Sequence, residues 1–105
     1  MKDIVKFKYL DQEGFLSCVS KDGYLYALVK KDTPKVKSIL ESNQLLISYE
    51  LKTPSYQKVD TKVSFDASLI SWVFHKLEEE KNLYFKELDD TLCVIEIMSP
   101  KSVHL

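Results

Sequence analysis

Residues 58–65, "KVDTKVSF", set Val59, Thr61, Val63 and Phe65 against Asp60, Lys62 and Ser64 in strict alternation. Successive side chains of an extended chain point to opposite faces, so a period of two predicts a strand with one wet face. The same alternation runs through 3–10, with Val5, Phe7 and Tyr9 opposite Lys6 and Lys8, and through 15–20, with Phe15, Ser17 and Val19 opposite Leu16, Cys18 and Ser20. "YLYALV" at 24–29 and "TLCVIEIM" at 91–98 also read as strands, as does "LLISYEL" at 45–51, with Leu45, Ile47, Tyr49 and Leu51 on one face. Between the first two strands "DQEG", 11–14, reads as a turn, and Asp22-Gly23 suits the positive φ angles of a tight hairpin.

Two segments carry the helical period instead. Val36, Ile39 and Leu40 fall at i, i+3 and i+4. Thr33 or Asp32 is positioned to cap that helix, Pro34 suits its first turn and Asn43 its stop. Leu69, Ile70, Val73, Phe74 and Leu77 share one side of a helix over 67–81, capped by Asp66. The order is β-β-β-α-β-β-α-β. It predicts a mainly β (α+β) domain spanning 1–105: a six-stranded antiparallel barrel with two short helices plugging its ends.

Composition narrows the function classes. The 105 residues are 45% hydrophobic and 30% charged with a net charge of −1, which gives no overall pull toward nucleic acid or an acidic membrane. All 15 basic residues are lysines, so no guanidinium fork exists for base or phosphate recognition. No run approaches the ~18 apolar residues of a membrane span, and the N-terminus has no signal-peptide core. A cytoplasmic protein is expected. Cys18 and Cys93 lie in apolar runs without metal spacing and are expected to be reduced core thiols.

The start of the first helix is chemically unusual. "KKDTPKVK" places Lys30, Lys31, Lys35 and Lys37 where the unpaired N–H groups of a helix already carry partial positive charge. A bound phosphate would reverse the sign of that arrangement, since N–H groups, helix dipole and ammoniums would all attract it. Thr33 and Lys35 are the best placed, with Lys37 or Lys31 assisting. Solvated surface lysines are the alternative that spacing leaves open.

The element order, together with "DGYLYALVKKDTPKVKSILESNQLLISYE", resembles the pyridoxamine 5'-phosphate oxidase-like family of FMN-binding split barrels. The matching residues are Gly23, the strand 24–29, Thr33, Lys35, Ile39, Asn43 and Leu46. "VDTKVSFDASLISWVFHKL" and "DDTLCVIEIMSP" resemble the family's later strand–helix unit and closing strand. The resemblance implies a homodimer with FMN in a groove shared by two subunits and its phosphate on Thr33 and Lys35. Ser17, within the strand 15–20, and Tyr26 would line the isoalloxazine. Two departures stand out: the family's N-terminal helix has no counterpart before the first strand, and its second-strand arginine is replaced by a strand offering only Lys21.

Trp72 points away from the apolar side of its helix, toward an interface, a ligand wall or a neighbouring loop. His75 falls opposite that side and His104 lies in the tail; neither has a partner at catalytic or metal spacing. Glu78, Glu79 and Glu80 read as a solvated helix end, and Asp89 and Asp90 as a turn. No residue is assigned to catalysis and none to a metal. The expected function is that of an FMN-binding oxidoreductase-like protein acting on a small molecule, with a dimeric small barrel lacking flavin chemistry as the alternative.

Overall fold

The computed structural model describes residues 3–83 and 85–98. The tail carrying His104 lies outside them. Six strands and two helices follow in the expected order: β1 (Asp3–Tyr9), β2 (Gln12–Lys21), β3 (Tyr24–Lys30), α1 (Pro34–Ser42), β4 (Gln44–Ser48), β5 (Gln57–Ser64), α2 (Ala67–Glu79) and β6 (Leu92–Met98). The strands close into a barrel in the order β1-β2-β3-β6-β5-β4, every pair antiparallel. Closure gives each strand two neighbours, but the β1–β4 ladder spans only Lys6–Lys8 and the β2–β3 ladder only Cys18–Lys21, so β2 and β3 part beyond Cys18.

Alternation decides which side chains fill the barrel. Val5, Leu16, Cys18, Leu25, Ala27, Val29, Leu45, Ile47, Val59, Cys93, Ile95 and Ile97 point inward, joined by Val36 and Ile39 of α1. α1 therefore plugs the barrel. Thr33 caps it through Oγ1, Pro34 occupies its first turn, and Asn43 ends it with a left-handed φ of 58°. α2 departs from the expected role of second plug. Its Ile70, Val73, Phe74 and Leu77 pack on a second cluster made by Val19, Leu28, Leu92 and Val94, on the outside of β2, β3 and β6. The physical reason lies in β6, whose run Leu92, Cys93, Val94, Ile95 is buried on both faces. A strand covered on both sides reads as continuous rather than alternating apolar sequence.

The loops refine the reading. The turn between β1 and β2 is the residue pair Leu10-Asp11, with Leu10 at a φ of 53°, so residues expected in the turn already belong to β2. The Asp22-Gly23 hairpin forms as expected, with φ angles of 53° and 85°. β4 stops at Ser48, before Tyr49 and Leu51, because the Ser48 hydroxyl takes over the local backbone: Oγ accepts from Glu50 N at 3.1 Å and Ser55 N at 2.9 Å. Leu51 is consequently exposed rather than on the core face, and Phe65, one residue past the end of β5, is exposed as well. α2 ends at Glu79, two residues short of the expected end, and Glu80 is half-buried with Oε1 shielded from solvent, unlike the solvated Glu78 and Glu79.

Gly14 sits opposite Phe7 in the β1–β2 ladder, and a Cβ built there would stand 2.8 Å from the Phe7 ring. Alanine normally outperforms glycine within a strand. Here the Phe7 ring would have to shift, so Gly14→Ala is expected to cost about 1 kcal/mol through overpacking. Urea unfolding reads the difference directly, and an unchanged or stabilised variant contradicts the contact.

Candidate functional site

A cavity of about 460 Å³ opens where β2 and β3 part, lined by Phe15, Leu16, Ser17, Leu28, Val29, Lys30, Thr33, Lys35, Leu77 and Phe85. Its volume lies in the usual range for small-molecule sites, roughly 300–1,000 Å³. The apolar wall comes from β2, β3, the end of α2 and Phe85 of the following connector. Among the described residues the polar side chains lining it are two hydroxyls and two ammoniums, with no carboxylate. That asymmetry suits an anionic ligand with a hydrophobic body.

Three residues expected to bind a ligand, Ser17, Thr33 and Lys35, meet in this cavity from β2 and from the start of α1. Two do not reach it. Lys37 is exposed beyond the lining, two residues along α1 from Lys35. Tyr26 packs on the neighbouring patch, edge-on to Trp72 with ring centroids 5.7 Å apart. Burial first, then the charge of Glu96, raises the Tyr26 phenol above its ordinary range. Trp72 also carries Lys21 Nζ 5.0 Å from its ring, so its off-face position is met by β2 and β3 of its own chain. His75 is exposed, and no group of three or more metal-ligating residues occurs among the described residues.

The local chemistry of α1 concentrates the positive charge on Lys35. Pro34 contributes no N–H. The Val36 N–H donates to Thr33 Oγ1 at 3.4 Å, and Thr33 Oγ1 in turn donates to the Lys30 carbonyl at 3.1 Å. The Lys37 N–H begins the helical ladder on Thr33 O at 3.2 Å. This leaves the Lys35 N–H as the first-turn donor that the cap does not satisfy. Its side chain is half-buried, with Nζ 4.6 Å from the Phe7 ring centroid. Burial lowers its pKa below the ordinary lysine value. The ion pairs among the described residues are Lys6–Glu13 at 3.9 Å and Lys76–Glu79 at 3.7 Å, so neither Lys30 nor Lys35 is neutralised by a contacting carboxylate.

The sequence reading counted Lys30 among the helix-start lysines without assigning it to the site, and it missed Phe85. Lys30 is the last residue of β3, and its facing direction follows from the outward register of Tyr26 and Leu28. Phe85 gave no periodic signal, because it sits in an irregular connector. Cys18 and Cys93 are buried thiols outside any disulfide, as expected. Burial pushes the Cys93 thiol up to about 11, outweighing the opposing pull of Lys31 and Lys35. A thiol in that state is a packing group and not a nucleophile at neutral pH.

No protein-family model matches the sequence, and no curated protein matches it. Solved structures do match in three dimensions. A pyridoxamine 5'-phosphate oxidase-like protein of Listeria innocua aligns with a TM-score of 0.59 at 14% identity, over 91% of this chain and 81% of its own. General stress protein 26 of Bacillus anthracis aligns with a TM-score of 0.61 at 14% identity, over 91% and 77%. An F420 reductase aligns with a TM-score of 0.58 at 12% identity, over 92% and 84%.

The Lys35 charge sets a pH dependence. Its folded pKa is lowered, so the cost of burying the ammonium is fully present below that value. As pH rises from there toward the ordinary lysine pKa, the folded state sheds the proton before the unfolded state does, and stability increases. Lys35→Met keeps the stem against Phe7 and removes the charge. It is expected to stabilise the ligand-free protein at pH 7 by a few tenths of a kcal/mol, discounted for solvent screening of the half-exposed head. Thermal unfolding in low-phosphate buffer checks this; a clear loss of stability would show that the charge has a stabilising partner. By its strand order and its alignment with these structures, the chain has the split-barrel fold of the pyridoxamine 5'-phosphate oxidase-like proteins.

Proposed function

We propose that the protein binds FMN and serves as an oxidoreductase-like flavoprotein on a small-molecule substrate. The carrying observation is the cavity itself, where hydroxyls and ammoniums at the end of β3 and the start of α1 adjoin an apolar wall. Its lining fits the group. Lys35, through its ammonium and its unsatisfied backbone N–H, would hold the phosphate, and Thr33 would add its hydroxyl by turning it away from the Lys30 carbonyl. Ser17 would offer a hydroxyl to the isoalloxazine edge, while Leu28, Val29 and Leu77 would exclude water from its face. Bound flavin would supply the redox chemistry, accepting and returning electrons; the chain supplies position and polarity.

Two of the structural neighbours bear enzyme names, an F420 reductase and a pyridoxamine 5'-phosphate oxidase-like protein, which supports a flavin or deazaflavin ligand. The proposal includes a homodimer. Phe15 is 61% exposed at the cavity wall, and Ile4 stands on the same outward side of the β1–β2 pair, so a second copy would cover an apolar rim. It also includes a cytoplasmic setting, which two buried cysteines outside any disulfide suit. A dimeric binding protein without turnover is the second reading. The all-lysine cavity favours it, since ammoniums grip phosphate as point charges without the fixed geometry of arginine.

Titration of FMN followed by quenching of flavin fluorescence separates these outcomes. Wild type is expected to bind, and Lys35→Ala to bind about tenfold more weakly, as expected for loss of one charge-assisted hydrogen bond. Equal affinity in the two proteins contradicts the placement of the phosphate. Failure of wild type to bind FMN contradicts the proposal.

A further inference from the structure

Lys30 has a set of partners that no helix-start argument anticipates. It lies at the last position of β3, lines the cavity, and points its ammonium at Thr91 Oγ1, 2.7 Å away. The Thr91 hydroxyl has one proton and gives it to Asp89 Oδ1, 2.5 Å away, while the Thr91 N–H donates to the same oxygen at 2.9 Å. A carboxylate can only accept, so Asp89 fixes the direction of the chain. With its proton committed, Thr91 presents lone pairs to Lys30 and acts there as an acceptor. The Lys31 N–H adds a backbone bond to Thr91 O at 2.8 Å, tying the end of β3 to the start of β6.

This arrangement orients Lys30 without a contacting carboxylate, although Asp89, one hydroxyl away, is coupled electrostatically to Lys30 and Lys31 and offsets part of their charge. Asp89 is committed to Thr91 and makes no contact ion pair with the ammonium. One of the three ammonium donors is used, and two remain. The ring of Phe85, across the same cavity wall, lies 5.6 Å from Nζ and further restricts where the head can go. A long lysine side chain ordinarily loses rotamer freedom when it grips a ligand, and here that ordering is done in advance.

Resting on the reading of the cavity as a phosphate-ester site, we infer that Lys30 is its second cation, positioned by Thr91 and Asp89, and that with Lys35 it selects a dianionic phosphate monoester. A single ammonium distinguishes poorly between a monoanion and a dianion. Two converging on one group favour the second charge. Because Thr91 hydrogen bonds hold the Asp89 carboxyl below the usual carboxylate range, the support persists to mildly acidic pH. Its contribution is lost only as pH falls through the lowered Asp89 value. Over that interval the phosphate ester itself passes from dianion to monoanion, with a second pKa of about 6.

The test compares FMN with riboflavin, which has the same ring system and no phosphate, in wild type, Lys30→Met, Lys30→Gln, Thr91→Val, Thr91→Ser and Asp89→Ala. Lys30 is exposed, and thermal unfolding checks that each variant is folded. Both Lys30 variants are expected to lose about tenfold in FMN affinity, the size of one charge-assisted contact, with riboflavin affinity unchanged. Thr91→Val and Asp89→Ala are expected to lose about threefold toward FMN alone, while Thr91→Ser, which keeps the hydroxyl, matches wild type. The fall in wild-type FMN affinity between pH 7 and pH 5 is expected to flatten in Lys30→Met. Equal loss toward FMN and riboflavin would place Lys30 on the ring beside Phe85 and overturn the inference, as would unchanged FMN affinity. If wild type binds neither flavin, the flavin reading fails, and the inference is decided by inorganic pyrophosphate. Thermal stabilisation of wild type that is lost in Lys30→Met supports it; no stabilisation, or equal stabilisation of both proteins, overturns it.

Discussion

Burial of β6 on all sides organises the molecule. Its edges are hydrogen-bonded to β3 and β5, its inward residues Cys93, Ile95 and Ile97 belong to the barrel core, and its outward Val94 lies under α2. Each fully buried aliphatic side chain of this kind contributes about 1.5–3 kcal/mol relative to exposure. The same strand fixes the candidate site. β3 must end beside the start of β6, which brings Lys30 and Lys31 to Thr91 and sets where the chain turns into α1. Cavity walls, helix start and cation support are thus consequences of one register.

Much of that architecture was legible in the residues, because one-sided burial leaves a period. Val5, Phe7 and Tyr9, and Val59, Thr61 and Val63, alternate as the barrel requires. The caps Thr33, Asp66 and Asn43 were visible because their side chains or left-handed backbone do local work that few residues do. The position of α2 was harder to read. A helix has the same apolar side whether it plugs a barrel or lies along its wall, and only the unbroken apolar run at 92–95 hinted that a second face needed cover. Turn lengths were misjudged for a related reason. Gly14 reads as a turn residue in isolation, while in the fold it makes room for the Phe7 ring.

The site was legible in part. Ser17, Thr33 and Lys35 could be proposed from strand phase, capping and family resemblance, and they share one cavity. Lys37 could not be separated from Lys35 by composition alone. Two residues along a helix rotate a side chain by about 200°, which takes Lys37 off the cavity side. Lys30 was hidden because its role depends on Thr91, 61 positions away, and on the direction that Asp89 gives to a single hydroxyl proton. Contacts of that range leave no local pattern in a sequence.

At the centre is an ammonium placed in a half-buried, lysine-rich corner without a carboxylate to neutralise it. Such a group is unfavourable alone and becomes favourable when an anion arrives. The most direct measurement follows the Lys35 side chain by ¹³Cε chemical shift through a pH titration, assigned by comparison with Lys35→Arg, without and with FMN. The account predicts a Lys35 pKa below that of the surface lysines in the free protein and a rise on addition of FMN. A Lys35 signal that titrates with the surface lysines and does not respond to FMN would contradict it.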